Sequence, residues 1–444
     1  MHSPAITQLV IAALLFLLAG TASAIAVTLI GHSWRDRRMA RTKKLMECYR
    51  PLVEGLLTGQ IAYEEGRDAL TRIGEGDHRK QALERILLAT CPKLAQVHIL
   101  RRLCEDLGLV EIWQRQLNNS GLSFLRRATA ARNLGAIRHQ SSWPLLVQGL
   151  KDPSRDVAEV SAGSLAAIGE SESFPALVGQ LQSAALDPRT ALSLRTIRSA
   201  LITFPLECAE MLLPSLEHTN ARIRFLAVEV IRGMVERRAQ DSSHFGLDIE
   251  FCSPQLTNLF LGRLASDESP DVRACATDVI AHLPDSRATA ALVELLEDAE
   301  WPVRLHAVRA LAQPMYSAEA TSVARRLTDS HWRVREAAAK CLVILGTEGL
   351  HLLFRQFLLG SDKYCQEQIA EEIQRAGLLP LLLAEFSGSR DGEALTVKDQ
   401  LSQLAQIDAR LIGYLRSLRP AQPGASRLGE RAQGAFATTT GLLK

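Results

Sequence analysis

Apolar side chains recur every three to four residues along most of the chain between residues 49 and 377, interrupted at short intervals by Asp, Pro and Ser. That spacing places one apolar stripe on each of a series of helices and predicts turns at the interruptions. The pattern also repeats itself. WPVRLHAVRAL at 301–311 returns 31 residues later as WRVREAAAKCL at 332–342, and DVRACATDVI at 271–280 precedes it at the same interval. Val272, Val303 and Val334 are therefore equivalent, as are Arg273, Arg304 and Arg335, and so are Asp267, Asp298 and Asp329, five residues before each Val.

The copies fade in both directions. ARIRFLAVEVI at 221–231 is a good one. RDVAEVSAGSL at 155–165 keeps Asp156 and Val157 but has Ala158 where Arg is expected, and 126–137 and 191–202 are further variants. CQEQIAEEIQRAG at 365–377 is a polar copy suited to a capping unit. Between these segments lie shorter apolar ones such as WPLLVQGL, FPALVGQL, TAALVELL and TSVARRL, so each unit holds two helices. A repeat of this length that cannot bury its apolar face alone reads as a solenoid.

The pattern L-x-x-L-x-D-x-x-x-x-V-R-x-x-A-x-x-x-L, seen in LVELLEDAEWPVRLHAVRAL and VARRLTDSHWRVREAAAKCL, resembles HEAT repeats, particularly the short bacterial kind associated with phycobilin lyases. The resemblance covers residues 120–377 and implies an all-α fold, a right-handed α-solenoid of HEAT-like helix pairs. It also implies a hydrogen-bonded ladder between neighbouring units from Asp267, Asp298 and Asp329 with Arg273, Arg304 and Arg335. Ala158 lacks the Arg, so the first units are expected to stack less regularly. Ala276, Ala307 and Ala338 leave room for close helix approach, and Val and Leu fill the space between repeats.

Several segments depart from the repeat. Residues 49–119 form a helical N-terminal region, and 378–418 a C-terminal helical cap. The interval from Ile223 to Val272 exceeds the period by 18 residues, which places an insertion near 237–254 as a loop on one rim. Residues 419–444 hold four Gly, five Ala, two Pro and four Ser or Thr, the composition of a flexible tail.

Within residues 1–34, the run from about 6 to 30 carries no charge and would reach roughly 37 Å as a helix at ~1.5 Å per residue. That length crosses a hydrocarbon core of about 30 Å. Ala22-Ser23-Ala24 offers a rival reading as a signal-peptide cleavage site, but residues 1–5 contain no Lys or Arg and the apolar run continues past it. The basic juxtamembrane segment 35–48 follows. Arg35, Arg37, Arg38, Arg41, Lys43 and Lys44 predict retention on the cytoplasmic side and contact with anionic headgroups. The expectation is a single-pass inner-membrane protein with its N-terminus outside and its body in the cytoplasm.

Charge and chemistry then narrow the function. The chain is net +2, but residues 1–50 hold seven Lys and Arg against two Asp and Glu, which leaves the remaining 394 residues at net −3. Phosphate neutralisation is a poor fit to such a body, so nucleic acid is not the expected partner. Eight cysteines occur without a C-x-x-C or a neighbouring His, as reduced structural thiols would. No HExxH, P-loop, G-x-S-x-G or dinucleotide fingerprint is present, and no His-Glu dipeptide occurs, so neither an enzyme nor a cofactor is expected.

Trp301 and Trp332 are the leading candidates for partner contact, since Trp anchors interfaces; ordinary packing over the turn is their alternative role. His306, Arg309 and Lys340 come next, as polar positions on the face taken as concave, where solvated helix surface is the alternative. The expected function is a membrane-anchored scaffold or adaptor binding a membrane-associated protein, in a bacterial envelope or polysaccharide-synthesis complex. The lyase resemblance implies an alternative, a tetrapyrrole or other small ligand in the solenoid groove.

Overall fold

The structure is a computed structural model. It describes residues 46–73, 83–87, 96–187, 192–242, 253–359 and 361–377, with isolated positions between 16 and 44. Among the described residues all regular structure is helical, and the chain divides into two compact units, 1–203 and 204–444.

In the first unit, α1 (Tyr63–Ile73), α2 (Val97–Asp106) and α3 (Leu109–Asn118) lead into α4 (Phe124–Ala136), α5 (Trp143–Gly149), α6 (Arg155–Ile168), α7 (Phe174–Leu186) and α8 (Leu194–Ile202). Helices α3, α5 and α7 each pack on the helix that follows, while α4, α6 and α8 pack on one another in a second layer. Pro144 and Pro175 sit in the first turns of α5 and α7, where a missing N–H costs nothing. Gly169 ends α6 in the left-handed conformation at φ 74°. The α4–α6 contact is close because Gly135 has no side chain: a Cβ there would lie 2.7 Å from the Cα of Ser164. Ser164 Oγ donates across the same contact to the Ala131 carbonyl at 2.8 Å.

The second unit repeats this plan. Its inner row is α10 (Ala221–Ser242), α12 (Pro270–Ile280), α14 (Trp301–Ala310), α16 (Trp332–Ile344) and α18 (Lys363–Arg375), each packed on the next. The first helices of the pairs include α11 (Pro254–Leu259), α13 (Ser286–Leu295), α15 (Ala320–Ala324) and α17 (Thr347–Leu359), with the four-residue α9 (Leu213–Leu216) before α10. The repeat positions are the core. Val272, Val303 and Val334, Ala276, Ala307 and Ala338, and Ile280, Leu311 and Leu342 have no solvent exposure. At ~1.5–3 kcal/mol for each large apolar side chain, these rows supply most of the cohesion between successive helix pairs of this unit. Residues 237–242, expected in a loop, instead prolong α10, whose sequence EVIRGMVERRAQDS is rich in strong helix formers. The remainder of the inserted stretch up to 252 lies outside the described residues, as do the expected helical cap 378–418 and tail 419–444.

Polar side chains join the repeats at their helix starts. Arg273 donates from Nε and Nη2 to Asp298 at 2.7 and 2.8 Å, and Arg304 does the same to Asp329 at 2.7 and 2.8 Å. Arg224 makes an equivalent pair with Asp267, both bonds at 2.8 Å, across the longer interval. In each case Nη1 turns back to carbonyls of its own turn, as Arg304 does to Asp298 and Ala299 at 2.8 and 2.9 Å. Each carboxylate also accepts a backbone N–H two residues on: Ser269 at 2.9 Å, Glu300 at 2.8 Å and His331 at 2.9 Å. The rung is thus a planar fork whose donors and acceptors are largely satisfied, the condition under which a buried ion pair is tolerated. The first unit has a rung too, Arg127 to Asp152 at 2.8 and 2.9 Å, although Ala158 cannot extend it.

Burial alone would raise the Asp329 carboxyl, but hydrogen bonds from Arg304 and the His331 N–H outweigh it and hold the group below the ordinary carboxylate range. Asp298 is held down in the same way by Arg273 and the Glu300 N–H. A carboxylate depressed in the folded state contributes stability that is fully present above about pH 4, its unfolded value, and is lost as pH falls through the lower native value.

Two outcomes follow from this packing. Gly135→Ala should lower the urea midpoint by an amount equivalent to about 1–3 kcal/mol, and an unchanged midpoint would refute the close α4–α6 approach. Asp329→Asn should cost about 3 kcal/mol at neutral pH, with the deficit against the wild type shrinking toward zero as pH falls below about 4. A deficit independent of pH would show that the ionised rung is not its source.

Candidate interaction edge

The rungs hold a row of helix starts in register, and the side chains beside them form an aromatic cluster in the second unit. Trp301 opens α14, and His331 caps α16 just before Trp332. The Trp301 and His331 rings stack face to face across the joint, centroids 3.8 Å apart and planes within 3°. His331 is pinned for this contact because its Nδ1 accepts the Arg333 N–H at 3.3 Å, while its own N–H goes to Asp329. The ring of Trp332 lies 6.3 Å from His331 at an angle of 19°. Arg333 carries its guanidinium over both indoles, 5.7 Å from the centroid of Trp301 and 5.4 Å from that of Trp332. Such placement is favourable for a cation and keeps the long side chain extended over the rings.

The two Trp residues therefore differ in role. Trp301 is half-buried in the stack, whereas Trp332 is 52% exposed. Packing over a turn describes the first. The second leaves much of a large apolar ring facing water beside a planar cation.

The other candidates lie elsewhere, on the inner row of helices. His306 Nδ1 lies 2.7 Å from Asp278 Oδ1, and Arg232 reaches the other oxygen of Asp278 at 3.3 Å. Lys340 pairs with Glu336 at 2.7 Å, and Arg375 approaches the same carboxylate at 3.7 Å. Lys340 and Arg375, with Arg309 in the same field, hold Glu336 below its ordinary value against a smaller opposing effect of burial. Arg309 is exposed. His306 thus bonds to Asp278 of the preceding inner helix and Lys340 to Glu336 of its own, Arg309 lies exposed, and none of these contacts joins the three to the Trp pair. Sequence reasoning missed His331, Arg333, Arg224 and the pair Arg127–Asp152. Asp329-Ser330-His331 in the repeat register was the available signal for His331, but the stacking that gives it a role joins two repeats.

Of the basic juxtamembrane residues, Lys43 and Lys44 are helical and exposed, and Arg35, Arg37, Arg38 and Arg41 lie outside the described residues. The expected membrane-spanning run is described only in part; among the described residues no helix is long and apolar enough to cross a membrane. Cys104, Cys275, Cys341 and Cys365 are buried free thiols. Burial pushes the thiols of Cys275 and Cys341 up to about 12, which makes them poor nucleophiles. A depression of about 530 Å³ opens beside Ala324, Arg325, Leu352 and Arg355 on the outer helices, and one of about 140 Å³ lies at the Arg127–Asp152 rung.

Comparison with known proteins agrees with the helix-pair plan. HEAT repeats match residues 123–198 and 257–343. No match was found among curated proteins. Among solved structures, the chain is similar to Kap121p bound to Pho4p at 15% identity, covering 82% of this chain and 44% of that one, with a TM-score of 0.43. It is similar to an engineered protein at 16% identity, covering 84% and 98%, with a TM-score of 0.32. It is also distantly similar to the complex of CpcE and CpcF of phycocyanin lyase from Nostoc, at 15% identity, covering 61% and 92%, with a TM-score of 0.24. With paired helices in both units and Arg–Asp rungs joining successive pairs, residues 123–198 and 257–343 of this chain carry HEAT repeats.

Proposed function

We propose that this protein is a membrane-anchored scaffold that binds a protein partner through the helix-start edge of its second unit. The observation that carries the reading is the exposed Trp332 ring, set between His331 and the stacked guanidinium of Arg333. Trp and Arg dominate the energetics of protein interfaces because they combine large apolar area with directed polar contacts. Here both are held in place before any partner arrives, so little side-chain freedom remains to be lost on binding. A solenoid suits the role because its binding surface is spread over many repeats.

The anchor rests on the sequence of the apolar run and on its described positions. Phe16, Leu17, Leu18, Ile25 and Leu29 are helical and between 59% and 83% exposed, an arrangement that lipid would cover and water would penalise. The basic residues that follow favour a cytoplasmic body at the inner membrane, with the N-terminus outside. Anchoring there would raise the local concentration of the body for membrane-associated partners, and an envelope complex is the natural setting.

Alkaline-washed membranes should retain the wild-type chain, and crosslinking within them should recover a defined partner protein. Trp332→Ala should reduce that recovery about tenfold, equivalent to ~1.4 kcal/mol, while shifting thermal stability little, since the ring is half exposed. Full recovery by the variant, or loss of the chain from washed membranes, would contradict the proposal.

A further inference from the structure

The helix starts of the first unit carry a different chemistry from those of the second. Phe124 opens α4 three residues before its rung residue Arg127, as Trp301 and Trp332 stand three before Arg304 and Arg335. It is 49% exposed, and Leu125 beside it is 66% exposed. Both are held in place. The Arg127 guanidinium, buried in its pair with Asp152, also donates through Nη1 to the carbonyls of Ser120 and Leu122, and Asn119 Oδ1 accepts the Gly121 N–H at 3.0 Å. The turn before α4 is therefore fastened to the helix, and two adjacent apolar side chains are presented to water at its start.

The rung brings a second segment to the same edge. Asp152 binds Arg127 and accepts the Ser154 N–H at 2.8 Å, so Lys151 and Arg155, on either side of that turn, lie beside the start of α4. Both are exposed, as is Arg126, and the exposed Arg132 shares a face of α4 with Leu125, seven residues before it. Residues 119–159 hold six Lys and Arg against three Asp and Glu. Arg127 takes Asp152, and Arg155 takes Glu159 at 2.8 Å. That leaves Arg126, Arg132, Arg138 and Lys151 against Asp156, and none of these four cations forms an ion pair among the described residues. The stretch is net +3 inside a body of net −3, so the remainder of residues 51–444 carries −6. Unpaired positive charge is thus concentrated around two exposed apolar side chains in a body that is otherwise acidic.

We propose that this edge is a peripheral membrane contact, with Phe124 and Leu125 entering the interfacial layer of an anionic bilayer and Arg126, Lys151 and Arg132 lying among its headgroups. The inference concerns the first unit and stands apart from the reading of Trp332. Apolar insertion combined with attraction to anionic lipid is the general basis of interfacial binding. Long basic side chains extend their apolar stems along the same layer and leave the charge at the headgroups. A nucleic acid would match the cations and could stack a base on Phe124, but it offers nothing to Leu125, whereas hydrocarbon covers both side chains. The helix starts of the second unit do not fit this role, because Glu297 and Glu300 are exposed beside Trp301 and an anionic surface would repel them.

The test places a photoreactive benzophenone side chain at position 124 of the full-length protein and, in a second preparation, at position 140, replacing the exposed Gln140 just beyond the far end of α4. Each protein is combined with vesicles of phosphatidylcholine alone or of phosphatidylcholine with phosphatidylglycerol, and lipid adducts are quantified by mass spectrometry after irradiation. Position 124 should give about tenfold more adduct on anionic vesicles than position 140 does, and about tenfold more than it gives on neutral ones. Arg126→Gln combined with Lys151→Gln should remove the dependence on anionic lipid. Circular dichroism should show this variant folded, since both side chains are exposed. Equal yields at the two positions, equal yields on the two kinds of vesicle, or an unchanged preference in the double variant overturn the inference. Capture of an added oligouridylate by position 124 in preference to lipid overturns it as well. The expected pattern is the same whether the chain is held by an N-terminal anchor or meets the vesicle from solution, so failure of the anchor and failure of this edge are separable.

Discussion

A planar guanidinium clamped between the carboxylate of the next repeat and two carbonyls of its own turn is the contact on which the second unit is built. Apolar rows of Val, Ala, Ile and Leu bring the helices together, yet such rows tolerate sliding because burial has no direction. The Arg–Asp rung does have direction. It fixes two donors on two acceptors in one plane, with the side chains of Arg224 and Asp267 at 4% and 3% exposure. The same carboxylate also caps the helix that follows it, so one side chain sets both the stacking of repeats and the start of the next inner helix.

That dual role explains why the aromatic cluster lies where it does. The His331 N–H is held by Asp329, and Asp329 by Arg304, so the ring that stacks on Trp301 is placed by the rung itself. Trp332 and Arg333 follow directly in the chain and inherit that placement. A surface built from the first residues of capped helices is more rigid than one carried on a loop, which favours binding without a large ordering cost.

Much of the fold was legible from the sequence because the period carries physical content at every level. Val, Ala and Leu at fixed offsets announced which face is buried, and the resemblance of the Asp and Arg positions to those of HEAT repeats implied the rungs. Two limits are equally physical. The copies in the first unit are diverged, so the pair Arg127–Asp152 was hidden behind Arg126 at a position where Val is expected. The excess length of the interval predicts a loop at 237–242, whereas local helix propensity continues through it and prolongs α10. The candidate site was only half legible. Trp301 and Trp332 stood out as repeated residues, but their division into a stacked ring and an exposed one depends on His331, a contact between repeats. His306, Arg309 and Lys340 drew notice by charge and spacing; His306 bonds to Asp278, Lys340 to Glu336, and Arg309 is exposed.

The central claim, that the rungs rather than apolar packing alone fix the helix-start edge, is tested most directly by hydrogen exchange on the full-length protein and its Arg304→Met variant. Peptides spanning 296–306 and 327–337 should exchange slowly in the wild type, and much faster in the variant while the interiors of α14 and α16 stay protected. Unchanged protection of both edge segments in the variant would contradict the claim and leave apolar packing as the sole source of register.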